Sequence, residues 1–65
     1  MQFKVNYSRP NAAAHDSGWI TAKPEYRETL IYAYEDHGFK ASNITKDKVI
    51  LRSPNQGIRV IEFRS

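Results

Sequence analysis

The sequence predicts an α+β fold: a small antiparallel sheet of three to four strands with one amphipathic helix packed on one face, in the order β-(β)-α-β-β-β, built as one domain over residues 1–65. Three observations predict it. Phe3, Val5 and Tyr7 alternate with Gln2, Lys4, Asn6 and Ser8, the period of two that marks a half-buried strand. Between Pro24 and His37 the apolar residues recur at helical spacing instead. Beyond the helix, strand-like runs are joined by loops too short for parallel crossovers, so they form an antiparallel meander.

Taken in order, the first strand ends at Arg9-Pro10-Asn11, because proline fixes φ and cannot donate to the ladder. Residues 9–18 then read as a long connection, with Ala12-Ala13-Ala14 suited to one irregular helical turn. Residues 19–22 read as a short second strand or an extended lead into the helix, and Trp19 as a core anchor under that helix. The competing reading of Trp19 is an anchor for a binding partner, where Trp is over-represented.

The helix is expected over 24–37. Pro24 suits the first helical position and Glu25 the positive end of the dipole. Gly38 is the expected left-handed stop, and Phe39 is placed for the hydrophobic contact that accompanies it. Tyr26, Leu30, Ala33, Tyr34 and His37 share one stripe, with Ile31 at its edge, while Glu25, Glu28, Tyr32, Glu35 and Asp36 fall opposite. Residues 39–44 and 48–52 follow as strands joined at Thr45-Lys46-Asp47. The turn at 53–57 leads into a last strand over 58–64.

Composition limits the function. Leu, Ile, Val and Phe make up 14 of 65 residues, just above the level at which disorder sets in, so the stability margin is thin and a partner or a second copy is welcome. The absence of cysteine removes disulfides, thiolate metal sites and a cysteine nucleophile. No apolar run approaches the roughly 20 residues of a membrane span. Met1 leads straight into polar, strand-like sequence, which points to a cytoplasmic protein without a membrane partner. The serines sit in no nucleophile motif, and the three scattered glycines build no phosphate loop. Two His-Asp pairs, His15-Asp16 and Asp36-His37, are too weak a pattern to assign a metal or a catalytic site. The expectation is therefore a binding module rather than an enzyme, with no cofactor and no metal.

The formal charge of +3 hides a division. Residues 1–23 carry +2, the helical segment 24–38 carries −3, and residues 39–65 carry +4. An acidic helix thus lies on a basic sheet. With Phe3, Val5, Tyr7, Val49, Leu51, Ile58 and Val60 packed under the helix, the other face holds Lys4, Lys48, Ile50, Arg52, Arg59, Ile61 and Phe63. A register shifted by one exchanges the last strand's two faces, putting Ile61 and Phe63 inward. Mixed basic, aliphatic and aromatic surfaces suit nucleic acid, which stacks its bases on aromatic rings and pairs its phosphates with Arg and Lys.

The leading expectation is accordingly a small regulatory or accessory factor that engages nucleic acid. Lys4, Lys48, Arg52, Arg59 and Arg64 would contact phosphates, and Phe63 or Trp19 would stack on bases. The alternative is a stoichiometric protein inhibitor of a nucleic-acid-handling complex. Its protein-binding surface would be Glu25, Glu28, Tyr32, Glu35 and Asp36, in the manner of phage anti-CRISPR or anti-restriction proteins, with which the chain shares only its size. A homodimer through the sheet is a further partner expectation.

Overall fold

The computed structural model describes residues 1–8 and 13–65. Six strands and one helix follow one another: β1 (Gln2–Ser8), β2 (His15–Asp16), β3 (Ile20–Thr21), α1 (Tyr26–Asp36), β4 (Lys40–Ser42), β5 (Lys48–Ser53) and β6 (Gly57–Arg64). The architecture is α+β, with an antiparallel sheet in the order β2-β1-β6-β5-β4 and β3 beside β2 on the outer edge of β1. Six strands replace the expected three to four: β2 arises within residues read as connection, β3 within residues 19–22 read as a short strand or a lead into the helix, and both pair along β1. The expected strand stop at Arg9-Pro10-Asn11, and Ala12, lie outside the described residues. Ala13 and Ala14 are not helical.

Helix α1 is shorter than expected at both ends. Pro24 and Glu25 form the turn before it, with the Tyr26 N–H on the Lys23 carbonyl at 3.0 Å, and Glu25 caps the helix without a side-chain hydrogen bond. Its C-terminus closes as the sequence indicates. Gly38 takes φ 92°, the Gly38 N–H donates to Glu35 O at 3.0 Å, and the Phe39 N–H reaches Tyr34 O at 3.1 Å. Those two bonds define a Schellman motif, and its hydrophobic contact is the edge-to-face pair Tyr34–Phe39 at 5.4 Å.

The face that α1 turns to the sheet holds Arg27, Leu30, Ile31 and Tyr34, all half-buried. Ala33 and His37, expected on that face, are exposed. The rotation has a physical cause in Arg27. Its guanidinium lies 4.8 Å from the Phe63 ring centre and donates to Lys46 O at 3.1 Å and Thr45 O at 2.6 Å. The aliphatic stem of an arginine covers apolar surface while its head satisfies loop carbonyls. Beneath the helix sits the core of Phe3, Val5, Phe39, Val49, Leu51, Ile61 and Phe63. Val49, Leu51 and Ile61 are wholly buried, each stabilising the fold by about 1.5–3 kcal/mol.

The last strand adopts the shifted register. Phe3 pairs Phe63, Val5 pairs Ile61 and Val49 pairs Ile61, so Ile61 and Phe63 point into the core while Ile58 and Val60 face away. The hairpin decides this. A three-residue loop, Pro54-Asn55-Gln56, closes on the pair Ser53↔Gly57 and keeps odd-numbered residues of β5 opposite odd-numbered residues of β6.

Candidate nucleic-acid interface

Because α1 covers one face only, the other face of the sheet is open, and the pairings order its side chains into rows. Thr21, Gln2 and Arg64 form the first row, and Lys4, Glu62 and Lys48 the second. Asp16, Asn6, Val60, Ile50 and Ser42 make the third, and Ser8, Ile58, Arg52 and Lys40 the fourth. Among the described residues five cations therefore face two carboxylates across a strip of Ile50, Ile58 and Val60.

The cations are not equivalent. Lys4 lies half-buried between Asp16 at 3.7 Å and Glu62 at 3.4 Å, so two acids already engage it. Lys40, Lys48, Arg52 and Arg64 are exposed, and the described residues place no carboxylate within 4 Å of them. Lys40 was not among the residues expected here. The signal was present, because Phe39 and Ala41 directed inward turn Lys40 outward.

Trp19 joins this face instead of the core, and the reason is a bulge. On β1 two residues separate Phe3 from Asn6, whereas three separate their partners Ile20 and Asp16. The extra residue makes Gly18 and Trp19 together oppose Lys4, and Gly18 adopts φ 76°, the left-handed conformation of a glycine bulge. Local bonds hold the kink. The Gly18 N–H donates to Asp16 Oδ1 at 2.7 Å, and Ser17 exchanges bonds with Val5 at 3.0 and 2.9 Å. The bulge reverses the inside–outside alternation, so the indole comes to rest at Arg64, 3.8 Å from its Cζ, and at Lys4, 5.0 Å from its Nζ. Arg64 is fixed in turn by its Nε–H on Gln2 Oε1 at 2.8 Å. Trp19 keeps 37% of its surface exposed.

Two residues expected at this interface lie elsewhere. Phe63 is buried under α1 against Arg27. Arg59 is also on the helix side and only 8% exposed, with its guanidinium over Tyr7 at 4.8 Å and Phe39 at 5.0 Å. Both placements follow from the hairpin register, which turns every odd-numbered residue of β6 inward. Of the expected phosphate ligands, Lys4, Lys48, Arg52 and Arg64 share the open face.

The acidic surface is where the sequence puts it. Glu25, Glu28, Glu35 and Asp36 are exposed, Tyr32 is 61% exposed, and no described cation lies within 4 Å of these acids. His15 stacks on Tyr7 with ring centres 4.8 Å apart, and His37 Nδ1 is 2.8 Å from Ala33 O. Among the described residues no group of three or more His, Asp or Glu side chains is positioned to hold a metal ion, and no helix is long and apolar enough to cross a membrane. No protein-family model, curated protein or solved structure matches the chain.

Proposed function

We propose that the chain is a nucleic-acid-binding module whose open sheet face takes a single strand, with Lys40, Lys48, Arg52 and Arg64 as phosphate contacts and Trp19 as the stacking ring. The observation that carries the reading is the pairing of Trp19 with Arg64 on a face rich in unpaired cations. Single-stranded nucleic acid needs those two features side by side, since stacking on an aromatic ring contributes about 1–3 kcal/mol per base and the cations replace the strand's counterions. The aliphatic strip of Ile50, Ile58 and Val60 gives the bases an apolar floor. Trp19 is the sole tryptophan, so its fluorescence reports the site directly. Oligothymidine added at low salt is expected to quench it in a saturable manner, and Lys48→Ala with Arg52→Ala is expected to weaken that quenching. An indole signal that stays constant through the titration would contradict the proposal.

A second reading is supported by the acidic side of α1, where Tyr32 stands exposed among Glu25, Glu28, Glu35 and Asp36. Such a surface suits the basic groove of a nucleic-acid-handling protein. The helix variant Glu28→Lys with Glu35→Lys separates the two readings. It leaves oligothymidine binding intact if the sheet is the working face.

A further inference from the structure

We propose that the cleft between the C-terminal half of α1 and the sheet binds a carboxylate carried on a small apolar group, with Arg59 as its counter-ion. The cleft has a volume of about 290 Å³, at the small end of the range for low-molecular-weight ligands. Leu30, Ala33, Tyr34 and Phe39 give it apolar walls, and Arg59, Gln56 and His37 supply polar groups.

Arg59 is the unusual feature. Its Nη1 donates to Gln56 O at 3.0 Å and to Ile58 O at 3.4 Å, while Nε and Nη2 donate to no described residue. Every Asp and Glu of the chain lies among the described residues, and none comes within 4 Å of the guanidinium. Stacking over Tyr7 and Phe39 offsets part of the cost of burying this charge. It provides no anion, and a buried arginine ordinarily has one. Two unused N–H directions on a planar fork match the two oxygens of a carboxylate.

The surroundings select the ligand class. Among the described residues Arg59 is the one arginine or lysine lining the cleft, which suits a single negative charge better than a phosphate dianion. The Tyr34 phenol, protonated at neutral pH like any tyrosine, also lines the cleft, and burial raises its pKa further against the opposing Arg59 charge. Gln56 Nε2 donates to His37 O at 2.8 Å and so ties the β5–β6 turn to the end of the helix, fixing one wall of the cleft before any ligand arrives. The site lies on the helix side of the sheet, away from the proposed nucleic-acid face, and stands independently of it.

The test uses the intact isotope-labelled protein, following the side-chain N–H resonances of Arg59 and Gln56 by NMR. Phenylacetate serves as a free acid, phenylacetamide as its neutral isostere, and an acetylated pentapeptide ending in phenylalanine, as free acid and as amide, represents a protein C-terminus. Phenylacetate or the free-acid peptide is expected to shift the Arg59 Nε–H while leaving Lys48 and Trp19 unmoved. Each amide is expected to bind about tenfold or more weakly, since a charge-assisted pair is lost. Tighter binding of the peptide than of phenylacetate identifies a chain terminus as the source of the carboxylate, and comparable binding identifies a free acid. Acid and amide shifting the same resonances equally, or no acid moving the Arg59 Nε–H, would overturn the proposal.

Discussion

Arg59 shows how one side chain can matter beyond its own contacts. Replacing a buried, carboxylate-free arginine with an apolar residue of similar size removes a desolvation cost and retains the packing. Arg59→Met is therefore expected to unfold at the same or a higher temperature than the parent in the absence of ligand, by calorimetry. A lowered midpoint would mean that stacking over Tyr7 and Phe39 outweighs the charge. Tyr34 makes a prediction in pH. Its pKa is raised in the folded state, so the folded protein holds the phenolic proton more tightly than the unfolded chain. That contribution is complete below the unfolded value near 10 and is lost as pH rises through the folded value. Tyr34→Phe should flatten the alkaline decline seen in urea midpoints measured on either side of pH 10, and an unchanged decline would contradict this. Tyr34's place on the sheet-facing stripe was legible in the helical spacing, whereas Arg59's environment was not. Arg59 sits in an Ile-Arg-Val-Ile-Glu-Phe run whose two faces are nearly equally apolar, and only the loop length of the preceding hairpin decides between them.

At the level of elements, the end of the helix and the bulge make contrasting cases. The Schellman stop could be read from Gly38-Phe39 because every bond in it is local. Gly38→Ala keeps open space for its methyl but must hold φ 92°, so it is expected to cost about 1 kcal/mol in urea unfolding. The bulge could not be read in the same way, since an extra residue is defined only against a partner strand distant in sequence. Trp19 was consequently expected in the core. Gly18→Val removes the one residue type that holds φ 76° easily, favouring an unbulged register with residue 18 opposite Lys4 and Trp19 opposite Phe3. Its emission should then shift to shorter wavelength and its quenching by acrylamide should fall. Emission identical to that of the parent would show that something other than the bulge sets the indole's direction. Strand β2 was missed for the same reason, and β3 was foreseen only as one of two readings of residues 19–22, because two-residue strands carry too little periodicity to register in a sequence.

Across the whole molecule, charge is sorted by layer. Among the described residues the open sheet face carries four exposed cations and the far side of α1 four exposed acids, so the net charge of +3 describes neither surface. That separation was legible because strand and helix residues sort by segment regardless of register, and reversing the register of β6 exchanges only Arg59 for Arg64 and Glu62 on the open face. The division also sets the central test, the salt dependence of oligothymidine binding followed through Trp19. Each phosphate neutralised contributes about −0.7 to the slope of log affinity against log salt for a single strand. With Lys40, Lys48, Arg52 and Arg64 engaged, the slope is expected to be roughly −2 to −3, and Arg52→Ala should reduce its magnitude by about 0.7. A flat salt profile, or a slope that Arg52→Ala leaves unchanged, would contradict the assignment of the open face as the nucleic-acid surface.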